Sequence, residues 1–350
     1  HKLLQGGMMK EDILGLLPNE LEDFVVSNGQ QRFRAKQIFS WLYKDIESFR
    51  DMTNVPKALI SILEDNFKIG SLKLVARQVS KLDGTQKFLF ELEDGNQIES
   101  VFMKYKYGNT VCISTQAGCR MGCKFCASGL LGLSRNLIAS EILSQVIDIS
   151  RLTGEKISNI VLMGTGEPLD NYVNVSKFLR IIHQPDGYNL SMRSITISTC
   201  GLVDKFDMLS NDFPQINLAI SLHSATDKKR NQIMPINKKF PISSVIDKAR
   251  EYVKKTGRRI SFEYTLVKGF NDDTEDMDAL AKLLKNLNCH VNLIPLNEVS
   301  KTGLVTSGRR RAEECIEILS KKGINATVRR QLGADIDGAC GQLRLKQSIE

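Results

Sequence analysis

The sequence predicts an α/β protein whose main part is an open, partial (β/α)6 barrel. From residue 110 onward, β-branched runs alternate with stretches of helical periodicity, and this alternation indicates a parallel sheet. The six predicted strands are TVCIST, SNIVLMG, SITIST, INLAISL, ISFEYTL and HVNLIP. Six strand–helix units are fewer than the eight that close a complete barrel, and a flat doubly wound sheet is the alternative.

The residues before the barrel predict a helical domain followed by a small antiparallel meander. Apolar spacing in residues 37–42 and 56–63 indicates short helices. The segments LKLVARQV, QKFLFELE and QIESVFMK alternate with period two, and Asp-Gly pairs separate them, as is typical of hairpins. We therefore expect an N-terminal helical domain over residues 8–70 and a meander or linker over 71–105. The opening HKLLQGG, residues 1–7, looks like an expression scar.

The barrel is expected over residues 106–335, with a C-terminal segment over 336–350. Its helices are predicted in IASEILSQVIDISRL, PISSVIDKAREYVKKTG and EDMDALAKLLKNL. Parallel α/β folds place their chemistry in the loops that follow the strand C-termini. Conspicuous residues fall there, so we expect one mouth of the barrel to collect them: the cysteines after strand one, Gly164–Pro168, Ser198–Gly201, Ser221–His223 and Pro295–Asn297.

Charge and hydropathy narrow the class of partner. No apolar run approaches the ~20 residues that a membrane helix needs, and nothing resembles a secretory signal, so we expect a cytoplasmic protein with no membrane partner. The net charge of +8 arises entirely after residue 100. Any one basic cluster fits a solvated helix end, but five of them favour a nucleic-acid partner. The clusters are Lys228-Lys229-Arg230, Lys238-Lys239, Arg258-Arg259, Arg309-Arg310-Arg311 and Arg329-Arg330.

Three of the chain's eight cysteines, Cys119, Cys123 and Cys126, form a C-x3-C-x2-C comb directly after the first barrel strand. A structural zinc site usually takes four ligands in two separated pairs, so three thiolates leave one position open. An iron–sulfur cubane normally takes four cysteines, and with three its fourth iron must bind something else. In a cytosolic protein such clustered thiols are metal ligands or catalytic groups more often than disulfides.

The comb and its place after strand one resemble the radical S-adenosylmethionine (SAM) superfamily. The strings GCRMGCKFCASG, MGTGEPLDN, LAISLHSATDKKRNQIMPIN, VNLIPLN and GADIDGACGQLR resemble, more closely, the bacterial adenine-C2 RNA methyltransferases. The resemblance implies a [4Fe-4S] cluster on Cys119, Cys123 and Cys126, two SAM molecules per turnover, and 23S rRNA and transfer RNA as substrates. It places SAM contacts on seven residues: Gly166, Glu167, Ser198, Ser221, Leu222, His223 and Asn297. A flavodoxin or ferredoxin as electron donor and a monomeric enzyme are further expectations.

The same resemblance implies roles for two cysteines outside the comb. Adenine C2 lies between two ring nitrogens and is a poor nucleophile, and the family's solution is a thiol, here Cys340, that first accepts a methyl group from SAM. A deoxyadenosyl radical from a second SAM then activates this methyl group for addition to C2. Cys112 would attack the sulfur of Cys340, releasing methylated RNA and leaving a disulfide that cellular reductants reopen. Glu99 matches the family's proton acceptor.

Two alternative functions remain open at this point. A C8-adenine 23S rRNA methyltransferase that confers antibiotic resistance would share the cluster and both extra cysteines, although Pro168 and Pro295 look more like the C2 group. A non-catalytic RNA-binding protein with structural zinc would explain the charge and the comb, but it leaves Cys112 and Cys340 without a role. Cys200, Cys289 and Cys315 are expected to be core thiols, with the closeness of Cys200 to the SAM site unexplained.

Overall fold

A computed structural model describes residues 10–130, 132–296, 303–330 and 332–336. The helices, in chain order, are α1 (Pro18–Ser27), α2 (Phe33–Trp41), α3 (Lys57–Asn66), α4 (Ala127–Leu130), α5 (Ala139–Thr153), α6 (Tyr172–Ile182), α7 (Phe206–Asp212), α8 (Asp227–Ile233), α9 (Ile242–Thr256), α10 (Thr274–Leu284) and α11 (Gly308–Lys321). The strands are β1 (Glu11–Asp12), β2 (Phe67–Lys68), β3 (Lys73–Val79), β4 (Gln86–Glu91), β5 (Gln97–Tyr105), β6 (Gly108–Cys112), β7 (Gln116–Cys119), β8 (Gly132–Asn136), β9 (Asn159–Leu162), β10 (Ile195–Thr199), β11 (Asn217–Ser221), β12 (Ile260–Leu266), β13 (Cys289–Pro295) and β14 (Ala326–Val328).

Contacts divide the described residues into two compact units. The first contains the chain up to Leu72, together with Ile138–Glu155 and Val173–Leu190, and the second contains the rest. By this division α5 and most of α6 group with the N-terminal helices, whereas the sequence assigns them to the barrel segment.

The first unit is helical, with β1 and β2 as a short parallel pair. Asp12 accepts hydrogen bonds from the backbone N–H of Leu14 and of Gly70, each at 3.0 Å, which ties the start of the unit to the chain after β2. Lys177 of α6 forms an ion pair with Glu20 of α1 at 2.9 Å. The apolar faces of α1, α2 and α3 supply buried residues of this unit, and apolar spacing in the sequence predicts α2 and α3 among them.

The second unit is built on a ten-stranded mixed sheet in the order β14-β13-β12-β11-β10-β9-β6-β5-β4-β3. All six predicted parallel strands are present, and the short β14, which the sequence analysis missed, pairs in parallel with β13. Each parallel strand lies next to the strand that precedes it in the series. A doubly wound sheet instead reverses its order at a switch point. The open, partial barrel is therefore confirmed, and the flat alternative is wrong.

The predicted meander is also present, as β3, β4 and β5, with Asp83-Gly84 and Asp94-Gly95 between its strands. The sequence did not reveal that β5 pairs antiparallel with β6 and so extends the barrel sheet. Phe88, Phe90 and Phe102 are fully buried on these strands. Burial of each such ring stabilises the fold by about 1.5–3 kcal/mol, which explains how a three-stranded extension holds its place.

Candidate active site

A cavity of about 1040 Å³, including the solvent in its mouth, opens at the carboxyl ends of the parallel strands. It collects residues from the carboxyl-terminal parts of β9, β10, β11, β12 and β13 and from loops that follow some of these strands, together with the cysteine loop. Of the predicted site residues, those that line it are Cys119, Cys123, Cys126, Gly166, Glu167, Ser198, Ser221 and His223. Leu222 is fully buried between two of these residues. Glu99 and Cys112 lie elsewhere on the same sheet, and Asn297 and Cys340 fall outside the described residues.

The three comb cysteines are held by a short hairpin and a turn. Cys119 is the last residue of β7, which pairs antiparallel with β8. The turn is closed by the N–H of Cys126, which donates to the carbonyl of Cys123 at 3.2 Å. The N–H of Lys124 donates to the carbonyl of Ile233, at the end of α8, at 3.0 Å. The cysteine loop is thus fixed to another wall of the cavity by its backbone.

The cavity suits thiolates only when a metal accompanies them. Burial raises the pKa of Cys119 to about 12 and also raises the pKa of Cys123, so both are protonated at neutral pH without a metal. Binding of a metal stabilises the thiolate form and so offsets the cost of burying a charged sulfur. In the described part of the chain, no three His, Cys, Asp or Glu side chains converge on a single ion. Thiolates of a cubane bind different iron atoms and need not converge, so the donor set fits a [4Fe-4S] cluster.

The Gly164-Thr165-Gly166-Glu167 segment packs its backbone directly against the strand that leads to the cysteines. A Cβ at Gly164 would lie 2.7 Å from the backbone of Ile113, and one at Gly166 would lie 2.6 Å from the side chain of Gln116. Gly166 also has φ = 109°, a conformation that only glycine adopts readily. Both glycines are therefore required by the close approach of this loop to the chain at the cavity wall.

Glu167 is the buried carboxylate of the cavity. Its Oε2 accepts from the N–H of Cys200 at 2.7 Å, and its Oε1 accepts from the N–H of Leu169 at 3.1 Å. Burial raises its pKa, and these backbone hydrogen bonds oppose the rise. A cation placed in the cavity would favour the ionised form, as expected of a residue that receives an ammonium group.

His223 takes a strained backbone conformation at the cavity, with φ = 56°. Its carbonyl accepts from the side-chain amide of Asn271 at 2.8 Å, and its Nδ1 accepts from the N–H of Thr265 at 2.9 Å. Burial, and secondarily the charge of Arg230, lower its pKa to about 3. The imidazole is therefore neutral with its proton on Nε2, and it can donate one hydrogen bond to an occupant.

Glu99 and Cys112 lie on the antiparallel side of the sheet. Glu99 forms a buried ion pair with Lys87 of β4, with 2.8 Å between Nζ and Oε1. Cys112, which is half-buried, pairs with Val101 on β5 and with Val161 on β9.

The strand registers place these two residues on a common face of the sheet. Residues two apart on a strand point the same way, so Glu99 shares the face of Val101 and therefore of Cys112.

Sequence reasoning missed several residues that hold the site together. Gln116 accepts from the N–H of Glu167 at 2.8 Å and donates to Asn136 and Asp170. Its position in TQAGC, directly before the comb, was the available signal. Glu263 and Arg329 also line the cavity, and their side chains lie 3.6 Å apart. Nothing in the sequence marked Glu263, because it reads as an ordinary strand residue.

The sequence predicts that Cys200, Cys289 and Cys315 are core thiols, and the structure agrees fully for two of the three. Cys289 and Cys315 are buried, as core thiols should be. Cys200 is buried but lines the cavity, where burial raises the pKa of its thiol well above the usual range. The backbone N–H of Cys200 donates to Glu167, and its backbone carbonyl accepts from Arg230. The backbone of Cys200 therefore supports the site independently of its thiol.

The basic clusters differ in exposure. Lys228, Lys238 and Lys239 are exposed, as are Arg309 and Arg310, which pair with glutamates one turn along α11. Arg230 is fully buried, so its inclusion in a solvent-facing basic cluster is wrong. No helix in the described ranges is both long and apolar enough to cross a membrane.

Comparison with known proteins defines the class. The Radical SAM superfamily profile matches residues 113–284, and the profile of the ribosomal RNA large subunit methyltransferase N-terminal domain matches residues 11–69. The crystal structure of a radical SAM methyltransferase from Sphaerobacter thermophilus superimposes with a TM-score of 0.90 at 42% identity, covering 95% of this chain and 98% of that one. Fold, cavity and comb together are those of a radical SAM methyltransferase.

Curated relatives give the family. The "Probable dual-specificity RNA methyltransferase RlmN" of Clostridium botulinum (strain Alaska E43 / Type E3) is 52% identical over 334 residues, which cover 95% of this chain and 96% of the relative. A protein of the same description from Geobacillus kaustophilus (strain HTA426) is 49% identical over 342 residues, with coverages of 97% and 93%. The chain belongs to this family of dual-specificity radical SAM RNA methyltransferases, which confirms the resemblance seen in its sequence.

Proposed function

We propose that the protein methylates C2 of an adenosine in 23S rRNA, in the peptidyl-transferase region, and of an adenosine next to the anticodon in some transfer RNAs. The observation that carries the proposal is the cavity that brings the comb cysteines together with residues at the carboxyl ends of five parallel strands. Support for the substrates comes from the 52% identity to a relative described as a dual-specificity RNA methyltransferase. Both substrates place the enzyme in the cytoplasm.

In this proposal Cys119, Cys123 and Cys126 hold the [4Fe-4S] cluster, and the strand-end residues of the cavity hold SAM. Glu167 receives the ammonium group of SAM, and His223 offers its Nε2 proton as a donor. Asn297 would complete the contacts. When bound, the cluster and SAM would supply the radical chemistry that removes one hydrogen from the methyl group on Cys340, and the cluster would accept the one electron that the RNA adduct must lose.

The remaining steps use side chains of the chain itself. The thiolate of Cys340 accepts a methyl group from the first SAM, and the activated carbon then bonds to C2 of the adenine. Glu99 takes the proton that leaves C2. The thiolate of Cys112 attacks the sulfur of Cys340, the carbon–sulfur bond breaks, and the carbon takes a proton to become the methyl group of the product. An external dithiol then reduces the Cys112–Cys340 disulfide.

The surroundings of Glu99 support a role as proton acceptor. The ammonium group of Lys87, which is half-buried, lies 2.8 Å from the buried carboxylate of Glu99. A neighbouring cation favours the ionised carboxylate, which is the form that can take a proton. The shared sheet face of Glu99 and Cys112 is consistent with both acting on one RNA base.

The test is nucleoside analysis of RNA taken from a strain that lacks the gene. Anaerobically reconstituted protein, SAM, a flavodoxin or ferredoxin reducing system and this RNA should yield 2-methyladenosine in 23S rRNA and in transfer RNA. The Cys123→Ala variant is the matched control and should yield none. Formation of 8-methyladenosine would replace the proposal with the C8 alternative, and absence of any methylated adenosine from an iron-loaded protein would overturn it.

A further inference from the structure

Arg230, on α8, is a fully buried cation whose side chain spans three parts of the cavity wall. Its Nε donates to the carbonyl of Leu222 at 3.0 Å. One terminal nitrogen donates to the carbonyls of Cys200 at 2.7 Å and Ser221 at 3.1 Å, and the other donates to Oδ1 of Asn237 at 2.7 Å. The guanidinium therefore joins the ends of β10 and β11, which carry the predicted SAM contacts.

The hydrogen bonds of Arg230 go to neutral oxygens. In the described part of the chain, no carboxylate lies within 4 Å of its guanidinium; Asp227 is linked to it by a hydrogen-bond bridge through Asn237 and otherwise acts on it through its charge at longer range. Burial lowers its pKa from the ordinary arginine value. A buried cation without a paired anion is costly, and proteins keep such groups where an opposite charge compensates them. An anion in the neighbouring cavity would supply that compensation.

The helix that carries Arg230 also holds the cysteine loop. The carbonyl of Ile233, three residues on, accepts from the N–H of Lys124, which lies between Cys123 and Cys126. Met234, the next residue, lines the cavity. Helix α8 thus has two contacts of this kind. The carbonyl of Ile233 binds the cysteine loop, and the side chain of Arg230 binds the ends of β10 and β11.

We propose that Arg230 is a positioning residue that holds the cysteine loop and the ends of β10 and β11 in register and supplies the positive charge that compensates the cluster thiolates. The inference rests on the proposed function in one respect, namely that the cysteines hold an iron–sulfur cluster. A nearby fixed positive charge stabilises the reduced, more negative state of a cluster, and net charge and hydrogen bonding are among the factors that set cluster potentials. Arg230 would therefore raise the reduction potential and fix the SAM-binding loops.

Two substitutions separate charge from geometry. Arg230→Gln removes the charge but retains hydrogen-bond donors for the strand-end carbonyls, whereas Arg230→Lys retains the charge but loses the planar fork. Lys228→Met, which removes an exposed charge from the same helix, is the matched control. The readouts are iron content, the cluster midpoint potential by spectroscopic titration, the Kd for SAM, and amide exchange of the metal-free protein.

Arg230→Gln should keep its iron and shift the midpoint potential to a more negative value. Arg230→Lys should leave the potential close to that of the parent protein, exchange faster at residues 198–203 and 221–226, and weaken SAM binding about tenfold, the loss expected when one charge-assisted hydrogen bond is misplaced. Lys228→Met should match the parent in all readouts.

A folded, iron-loaded Arg230→Gln with unchanged potential would overturn the inference. If Arg230→Gln does not fold, Arg230→Lys decides, and unchanged SAM affinity together with unchanged exchange in that variant would overturn it. Failure of the unaltered protein to bind iron would instead refute the proposed function, so the two failures are distinguishable.

Discussion

The buried polar residues of the candidate site have different kinds of partner in the parallel and antiparallel halves of the large sheet. In the parallel half, Glu167 and His223 accept hydrogen bonds from backbone groups at strand ends, namely the N–H of Cys200 and the N–H of Thr265. Glu263 on β12 is an exception, since it accepts from the side chain of Asn292. In the antiparallel half, the carboxylate of Glu99 pairs with another side chain, Lys87, on the next strand.

Because of this difference, we expect the two halves to tolerate different amino-acid substitutions. A backbone partner cannot be substituted away, so the parallel half depends on the paths of its loops, including the close approach of Gly164 to Ile113. A side-chain partner can be exchanged together with its mate while the strands keep their register. We therefore expect changes in the parallel half to act on occupancy of the cavity, and changes in the antiparallel half to act on later steps or on stability.

The largest effect is expected from Cys119→Ala, Cys123→Ala and Cys126→Ala. Each removes one of three ligands, and a cluster held by two thiolates should be lost, so bound iron and SAM cleavage should fall to background. Iron assay and cleavage of SAM measured by chromatography check this. Cys315→Ala, a buried cysteine on α11 that does not line the cavity, is the control and should retain its iron. Full iron in a comb variant would remove that residue from the site.

The next largest effect separates Cys112 from Cys340. Cys340→Ala lacks the methyl acceptor and should form neither methyl-cysteine nor an RNA adduct, although its cluster remains. Cys112→Ala should load the methyl group and add it to adenine, but it cannot release the product, so protein should accumulate covalently attached to RNA. A denaturing gel, nuclease digestion and peptide mass spectrometry would locate the link at Cys340. Full turnover by Cys112→Ala would refute this division of roles and, with it, the assignment of a later step to the antiparallel half.

The sequence could predict the parallel strands and the comb because both are local patterns. Six β-branched runs and the spacing of Cys119, Cys123 and Cys126 are visible without any tertiary information. The pairing of β5 with β6 joins two segments that each read as complete strands, and edge pairing leaves no mark in a pattern of period two. The meander was therefore predicted, but its membership of the barrel sheet was not.

Arg230 shows why part of the site could not be predicted. In the sequence it follows two lysines, and a run of three cations favours an exposed face. In the structure Lys228 is exposed, Lys229 binds Asp276 at 2.6 Å, and Arg230 is fully buried among backbone carbonyls. Those carbonyls belong to strand ends up to 30 residues away, and their convergence depends on tertiary packing.

A smaller effect is expected from the side-chain pair of the antiparallel half. Lys87→Met leaves the buried carboxylate of Glu99 without its cation and should destabilise the protein by about 3 kcal/mol, the usual cost of breaking a buried ion pair. The double variant Lys87→Met, Glu99→Leu removes both charges and should recover most of that loss, because apolar pairs replace buried ion pairs well. Urea unfolding of Lys87→Met, Glu99→Leu and the double variant completes a double-mutant cycle that measures the coupling free energy of the pair. Additive losses would show that the pair is not coupled.

The smallest effect concerns His223, whose partners in the parallel half are backbone groups. Its pKa is about 3 in the folded protein and about 6.5 when unfolded, so between these values the unfolded chain binds a proton that the folded chain does not. Stability contributed by the neutral imidazole is therefore complete above pH 6.5 and is lost as the pH falls toward 3.

Between pH 7.5 and pH 5 the loss should be about 2 kcal/mol, since each pH unit below the unfolded pKa of about 6.5 corresponds to about 1.4 kcal/mol. His223→Asn provides the comparison, because asparagine tolerates the positive φ of this position and does not titrate. Groups whose pKa burial raises, such as Asp148 and Glu167, contribute equally to both proteins and cancel in the difference. Urea unfolding at the two pH values should show the parent losing about 2 kcal/mol more than the variant. Equal losses of unfolding free energy in the parent and in His223→Asn would show that the folded protein accommodates a protonated imidazole. The contrast between groups bound by the backbone and groups bound by side chains would then fail at His223.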